Sequence, residues 1–213
     1  MDAIMRNRLK YTEPDYSQDW QYTTNATKTL VTKYIGTNTV VVTPNKINKL
    51  PVVLQNSANY RSGVFTNNRN ITSVTFDYGI TFTNNSMSYT FAYCYNLTQA
   101  PNIPNSVNSM ANTFSYCKKL TQAPVIPNSV TDMARTFYYC TNLIGNIIIK
   151  SKNITTFRNC FYSTNASKIK NVYIPYKYAN GVNTKTYNAA FNTTYGINGK
   201  NAVTVYDINT YTG

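Results

Sequence analysis

Residues that could perform chemistry are few in this chain of 213 residues, which holds four cysteines, seven acids and no histidine. Without histidine, general acid–base catalysis would have to use carboxylates, lysine or tyrosine. Beyond residue 19 the remaining acids are Asp77, Asp132 and Asp207, which lie far apart along the chain. These separations offer no local carboxylate pair of the kind that glycoside hydrolysis uses. The acids therefore indicate no hydrolytic site.

The four cysteines also match no reactive arrangement. A nucleophilic cysteine needs a base partner, which is usually histidine, and the spacing here is too long for the Cys-x2-Cys pattern of zinc sites. The chain has no phosphate-binding loop, no dinucleotide-binding glycine motif and no aspartate-rich calcium loop. We therefore expect a protein that is not an enzyme and has neither a cofactor nor a metal.

The cysteines instead recur inside a repeated phrase, Thr-Phe-x-Tyr-Cys. The phrase occurs at residues 90–94, 113–117 and 136–140, so the two intervals between copies are equal. A related phrase at 156–160 follows after a slightly shorter interval, and a weaker copy around Phe65 precedes the first at a slightly longer one. Self-similarity with a period of roughly 20–26 residues is typical of a solenoid, in which each unit buries its apolar face against its neighbours.

Matched positions of the repeats hold apolar residues, which predicts columns of buried side chains running from coil to coil. One column should contain Phe91, Phe114, Phe137 and Phe157, and a second should contain all four cysteines. Because free cysteine behaves as a small buried hydrophobe, we expect thiols there, although cysteines of adjacent coils could also come close enough for a disulfide. The predicted core comprises Phe91, Cys94, Leu97, Met110, Phe114, Cys117, Leu120, Met133, Phe137, Cys140, Leu143, Phe157 and Cys160.

These repeated residues resemble the BspA-like leucine-rich repeats of bacterial surface proteins. Units of that family follow L-T-x-x-x-I-P-x-S-V-x-x-[IM]-x-x-x-[AT]-F-x-x-C-x-x-L, and the segment 97–120 matches this pattern closely. The resemblance covers residues 31–175. It implies a right-handed solenoid with one short parallel strand in each coil of roughly 20–26 residues. It also implies surface display and a binding role.

The chain departs from the family pattern at Pro101 and Pro124, which lie inside the expected strand. Proline cannot donate a ladder hydrogen bond, so we expect the sheet to be irregular there. Abundant Asn, Thr and Tyr also favour extended structure over helix. The predicted fold is a repeat solenoid that is mostly β and irregular and is capped at both ends.

The segments outside the repeats are expected to cover the two ends of the solenoid. Residues 1–30 hold four of the seven acids and the single tryptophan. They fit a cap on the first coil, an arm that anchors to a partner, or a disordered tail. The aromatic residues of the anchoring hypothesis are Tyr11, Tyr16, Trp20 and Tyr22. Residues 176–213 predict a second cap, with a short helix over 176–191 and a strand over 202–206.

The remaining candidate site is a row of tyrosines. Tyr93, Tyr116 and Tyr139 recur once in each copy of the phrase, beside core positions, so they should line one face. The row could stack on a glycan, or its rings could stack on one another. Basic side chains near this face could contact acidic sugars, and these are Lys118, Lys119 and Arg135.

The net charge of +13 fits either a solvated surface or attraction to a polyanion such as an anionic surface polysaccharide. Nucleic acid is the weakest partner of this class, because the chain has no lysine- or arginine-rich run and no nucleic-acid-binding motif.

The N-terminus shows no apolar run typical of a secretory signal, and no stretch long enough to span a membrane occurs. Surface-type repeats without a signal favour a bacteriophage virion component on the particle surface, such as a head fibre, decoration or tail-associated protein. Its partners would be other virion proteins of the capsid or tail. The alternative is a bacterial cell-surface adhesin or protein-interaction module. Either protein could form a homo-oligomer.

Overall fold

The computed structural model describes residues 15–59, 61–164, 169–174 and 204–210. These residues form short strands and 3-10 turns, and none of them lies in an α-helix. The strands are β1 (Trp20–Thr24), β2 (Thr29–Tyr34), β3 (Val40–Thr43), β4 (Lys46–Ile47), β5 (Leu50–Leu54), β6 (Ser73–Phe76), β7 (Thr81–Phe82), β8 (Gly145–Ile148), β9 (Ile169–Ile174) and β10 (Thr204–Asp207). The 3-10 turns are Tyr16–Gln18, Thr83–Asn85 and Ile208–Thr210.

Successive coils of the chain lie side by side with their strands parallel. β2, β5 and β7 form one parallel row, β3 pairs with β6, and β8, β9 and β10 form a further parallel row. β1 runs antiparallel to β2, and the short β4 runs antiparallel to β5. Each parallel strand therefore exchanges backbone hydrogen bonds with a different coil of the chain.

The sheets shrink to single bridges in the middle coils. Two rows of parallel bridges remain, which are Ser73–Gln99–Gln122 and Ser86–Ser109–Asp132–Thr156, together with a single bridge between Ile126 and Ile149. The family pattern predicts strands near Pro101 and Pro124. In these coils the row Ser73–Gln99–Gln122 consists only of single bridges. Proline lacks the N–H that a strand needs to extend its ladder. The expectation of an irregular sheet at these two positions is confirmed.

A column of stacked phenylalanine rings runs through the core from coil to coil. Its members are Phe65, Phe91, Phe114, Phe137 and Phe161, and all are buried. Neighbouring ring centroids are 5.0, 5.5, 5.7 and 5.5 Å apart, and the rings are nearly parallel to one another. Aromatic pairs at these separations attract one another beyond the area that they bury. The leucines and methionines expected in the core are also buried, and these are Leu97, Leu120, Leu143, Met110 and Met133.

The prediction that Phe157 continues the phenylalanine column is wrong, because the last repeat is displaced along the chain. The Phe137 N–H donates to the Cys160 carbonyl at 2.9 Å. The equivalent bond one coil earlier runs from the Phe114 N–H to the Thr136 carbonyl, also at 2.9 Å. Cys160 therefore occupies the threonine position, and the coil that leads to it is longer than the alignment of the phrases predicts. Phe157 takes the methionine position, where it is still buried.

The same displacement moves Cys160 out of the cysteine column. Its expected place is filled by Thr164, whose N–H donates to the Phe161 carbonyl at 3.1 Å. In the preceding coil, the Cys140 N–H donates in the same way to the Phe137 carbonyl at 3.1 Å. The prediction that all four cysteines share one position is therefore wrong for Cys160. All four are buried and free of disulfides.

The other three cysteines connect neighbouring coils through their thiols. Cys94, Cys117 and Cys140 donate to phenylalanine carbonyls of the preceding coil, with Sγ···O distances of 3.0 to 3.1 Å. Thr113 and Thr136 make similar bonds from their hydroxyls to methionine carbonyls, at 3.0 and 2.9 Å. Burial raises the pKa of each of the three thiols above its ordinary value. These cysteines therefore act as structural, protonated donors.

β1 and β2 form an antiparallel hairpin whose Trp20 packs beside the first ring of the phenylalanine column. Trp20 in β1 is buried, and its ring centroid lies 4.8 Å from that of Tyr34 and 5.8 Å from that of Phe65. Since Phe65 is the first ring of the phenylalanine column, Trp20 extends the aromatic core toward the N-terminal end.

At the far end of the described chain, β10 lies beside β9, and the Tyr173 and Tyr206 rings stack at 5.4 Å. The strand expected over residues 202–206 is found at Thr204–Asp207. The helix expected over 176–191 lies outside the described residues.

Truncating one ring of the phenylalanine column should strongly destabilise the protein. We expect Phe114→Ala to lower the free energy of unfolding by about 3–5 kcal/mol, because it removes buried area and leaves a cavity between two rings. The measurement is the denaturant midpoint. Val125→Ala is a suitable control because Val125 is 43% exposed. A loss below about 1 kcal/mol for Phe114→Ala, the usual range of surface substitutions, would contradict the column.

The thiols should be almost unreactive in the folded protein. An aromatic disulfide reagent at pH 8 should label the native chain very slowly and all four cysteines in denaturant, because only thiolate reacts. The raised pKa values also predict a pH effect: the thiol contribution to stability is complete below about pH 8.5, the ordinary cysteine pKa, and declines above it as the unfolded chain ionises. Rapid labelling of native protein would contradict the buried positions.

Candidate binding face

Each middle coil makes two successive turns that place side chains on one face. In one coil the first turn ends at Thr113 and the second at Cys117, and each closes with an N–H···O bond of 3.0 Å to the residue three positions earlier. The third residue of each turn has positive φ, which is 55° at Asn112 and 61° at Tyr116. A single positive φ at this position is typical of type II turns, which favour glycine or asparagine there.

Tyrosine occupies the second of these positions in three successive coils. Tyr93, Tyr116 and Tyr139 have φ values of 62°, 61° and 58°. A bulky residue in this region carries backbone strain. Strain that recurs at one position of the repeat indicates that the tyrosine side chain supplies an interaction that asparagine or glycine would lack.

The three tyrosine rings stack on one another. The centroids of Tyr93 and Tyr116 are 4.7 Å apart, and those of Tyr116 and Tyr139 are 4.9 Å apart, with interplanar angles of 9° and 4°. Tyr138 and Tyr162 form a second stacked pair at 5.2 Å. Partial burial and the neighbouring phenols raise the pKa of Tyr116. Because the ring faces within the row cover each other, a sugar could not stack between them.

Basic side chains lie over exposed faces of tyrosines beside this row. Arg69 and Lys118 lie 5.3 and 5.6 Å from the ring centroid of Tyr95, and Arg135 lies 5.7 Å from that of Tyr138. Attraction of this kind contributes about 0.5–1 kcal/mol at an exposed site. The rings therefore favour positions of the three cations over the tyrosines.

These cations remain available to an external anion. The one acid between positions 81 and 150 of the chain is Asp132. Its carboxylate already accepts bonds from the Ala134 N–H at 2.9 Å and the Ser109 hydroxyl at 3.2 Å. Among the residues that the structure describes, Arg135 has no salt bridge to Asp132 within 4 Å. We call the surface formed by Tyr93, Tyr95, Tyr116, Tyr138, Tyr139, Arg69, Lys118 and Arg135 the tyrosine face.

The structure brings together most of the residues predicted for this site. Lys119 is the exception: it is exposed, and its recorded contact is a backbone bond from its N–H to the Tyr95 carbonyl at 3.3 Å. Sequence reasoning placed Tyr95 near the row but missed Arg69. The signal for Arg69 is in the repeat, because Arg69, Tyr95 and Lys118 each follow the cysteine position, or the asparagine that replaces it, in consecutive copies.

A cleft of about 400 Å³ opens beside the tyrosine row. Its lining combines phenols with polar and cationic side chains, namely Tyr89, Tyr93, Asn112, Ser115, Tyr116, Arg135 and Tyr138. This combination offers hydroxyl, amide and guanidinium hydrogen-bond donors and no carboxylate. The cleft therefore suits an anionic ligand better than a cationic one.

The residues proposed as a partner anchor lie in a different part of the molecule. Trp20 is buried in the core, so its ring offers no exposed surface for a partner. Tyr16 and Tyr22 are half-buried and pack against the same core. Tyr11 lies outside the described residues.

Among the described residues there is no cluster of three metal-ligating side chains. Within the same residues no helix is long and apolar enough to cross a membrane.

Comparison with solved structures found similar folds in leucine-rich repeat proteins. A leucine-rich repeat protein from T. pallidum is similar over 74% of this chain and 69% of its own, with 20% sequence identity and a TM-score of 0.51. A leucine-rich cell surface protein from Faecalibacterium prausnitzii A2-165 is similar over 73% of this chain, with 19% identity and a TM-score of 0.48. The match spans 43% of that second protein.

A search of curated protein sequences gave no match. The family model for the BspA type leucine-rich repeat region matches residues 33–121 and 87–211, in six copies. The matched ranges cover most of the chain, and the fold, which is mostly strand with no α-helix among the described residues, agrees with them. The chain belongs to the BspA-type leucine-rich repeat family.

Proposed function

We propose that this protein is a non-enzymatic adhesion module that is displayed on a surface and binds an anionic surface polymer through its tyrosine face. The observation that carries the proposal is the set of cations held over tyrosine rings, which are Arg69, Lys118 and Arg135. Fixed cations lose less side-chain entropy on binding than freely rotating ones. The face therefore favours an extended anion that contacts several coils at once.

The geometry of the tyrosine row supports charge recognition over sugar stacking. Tyr93, Tyr116 and Tyr139 cover each other's faces at 4.7 and 4.9 Å. The row therefore presents phenol hydroxyl groups to a ligand, and these groups lie beside the cations. Phenol and guanidinium groups together donate hydrogen bonds to phosphate, sulfate or carboxylate oxygens.

We further propose that the coils form a right-handed solenoid with residues 1–30 and 176–213 as its caps. Parallel bridges between successive coils support a solenoid. Burial of Trp20 against Phe65 supports a capping role for the N-terminal segment, since solenoids need a cover over their terminal coils.

Two settings use such a module in the same way, namely the surface of a bacterial cell and that of a bacteriophage particle. In the second setting, the module would attach to capsid or tail proteins through residues 1–14, which precede the buried Trp20. The positive charge of the repeats would then remain free for the host surface.

Polyanion binding should depend on the cations of the tyrosine face. We expect the triple variant Arg69→Gln/Lys118→Gln/Arg135→Gln to bind heparin or lipoteichoic acid about tenfold more weakly, taking about 0.5 kcal/mol for each exposed charge. Binding of the unmodified protein should weaken as salt rises, because the Debye length shrinks to about 8 Å at physiological ionic strength. Isothermal titration at two salt concentrations measures both effects.

The matched control for this experiment is Lys33→Gln/Lys46→Gln/Lys49→Gln, which removes the same charge from exposed positions elsewhere. Equal weakening by both triple variants would show a diffuse charge effect and overturn the tyrosine face as the site. Tyr95→Leu keeps every charge but removes the ring under Arg69 and Lys118. We expect it to weaken binding by about two- to fivefold, the equivalent of one cation–π contact.

The display setting is tested by deleting residues 2–14, which leaves Trp20 in place. If the protein is a virion component anchored by this segment, purified particles of the producing phage should contain the full chain and lack the folded deletion variant. Immunoblots of banded particles and of washed cells measure this. Detection on washed cells alone, for both chains, would exclude the virion setting and support the cell-surface adhesin.

A further inference from the structure

A second polar cleft lies on coils 97–131, and it shares no lining residue with the cleft of the tyrosine face. It consists of two adjoining hollows of about 720 and 460 Å³, which meet at Asn102 and Val125. It lies on the coils that contain Pro101 and Pro124, where the sheet is reduced to single bridges.

Five side-chain amides line this recess, and we call it the amide cleft. They are Gln99, Asn102, Asn105, Gln122 and Asn128. All five residues are exposed. The hydrogen bonds recorded among the described residues involve none of these five amide groups.

Two other amides of the repeats, those of Asn96 and Asn142, have structural partners. Asn96 donates to the Arg69 carbonyl at 2.6 Å, and Asn142 donates to the Lys118 carbonyl at 2.9 Å. These two side chains connect neighbouring coils. The amides of the amide cleft make no such connection, so their donors and acceptors are available to a ligand.

The chemistry of the cleft is neutral and amphipathic. Its one charged lining residue is Lys150, and no acid lines it. Val125 is 43% exposed and lies between the two hollows, so it offers an apolar surface among the amides. Each amide provides two donor hydrogens and an acceptor oxygen.

We propose that the amide cleft binds an uncharged, polyhydroxylated chain, that is, a neutral glycan. Sugar hydroxyls both donate and accept hydrogen bonds, as side-chain amides do, and the apolar face of a pyranose ring can cover Val125. Gln99 and Gln122 are bridged neighbours in adjacent coils, so they present the same group twice along the direction in which the coils stack. A chain of repeating units can therefore contact both. This site is separate in residues and in chemistry from the anion site of the proposed function.

The two sites should differ in their response to salt. Hydrogen bonds between neutral groups do not depend on ionic strength, whereas binding of a polyanion weakens as ionic strength rises. We expect an array of neutral oligosaccharides with gluco, manno and xylo units to give at least one ligand whose affinity stays constant between low and high salt. The same ligand should bind equally to the Arg69→Gln/Lys118→Gln/Arg135→Gln variant.

The decisive variants are Gln122→Ala/Asn128→Ala, which removes two amides, and Val125→Arg, which fills the space between the hollows. We expect each to weaken binding of the array ligand about tenfold or more, the double amide variant because two neutral hydrogen bonds are lost and Val125→Arg because its side chain occupies the ligand's space. The control is Asn70→Ala/Asn153→Ala, since both residues are exposed and lie outside the cleft. Thermal melting checks that each variant is folded. Because the two variants change different residues, the test remains valid if one of them fails to fold.

The outcomes separate this proposal from the anion site. Salt-independent binding that both cleft variants abolish, and that the control retains, supports the neutral glycan site. Absence of any array ligand, or binding that survives both cleft variants, overturns it and leaves polyanion binding unaffected. Binding that disappears with salt or in the cation variant assigns the ligand to the tyrosine face and equally overturns the proposal.

Discussion

Stacking of one phenylalanine per coil, at centroid distances of 5.0 to 5.7 Å, is the interaction on which the rest of the structure depends. A single coil of this chain has too little apolar surface to exclude water alone, so it becomes stable only against its neighbours. The rings set the spacing between coils. Thiol and hydroxyl bonds from Cys117 and Thr113 to carbonyls of the preceding coil hold the same register.

The shared register also determines the outer surface. Because every middle coil repeats the same pair of turns, a residue at one position of the repeat lies beside its counterparts in the coils before and after. This places Arg69, Tyr95 and Lys118 next to one another, although they belong to three successive coils. The three residues do not share a strand or a helix. Their cation–aromatic–cation arrangement is therefore a consequence of how the coils pack on one another.

The outer strands can be interrupted without loss of the core. The coils that contain Pro101 and Pro124 pair only through single bridges, yet the phenylalanine column passes through the same coils without a gap. Core and sheet thus contribute separately to coil-to-coil contact. Polar side chains, among them Gln99, Asn102 and Gln122, line a recess on these coils.

The sequence alone determined the repeat, the family resemblance, the buried column around Phe91, Phe114 and Phe137, and the tyrosine row. These follow from period and residue type, because identical positions in stacked coils must have similar surroundings. Only the tertiary structure decided the register of the last coil. In that coil, residues 156–160 have the sequence pattern of the earlier repeats, but Phe161 and not Phe157 stacks in the phenylalanine column. It also decided that Trp20 belongs to the core, that the tyrosine faces cover one another, and which rings hold cations. These outcomes depend on distances between side chains of different coils, and spacing along the chain does not encode such distances.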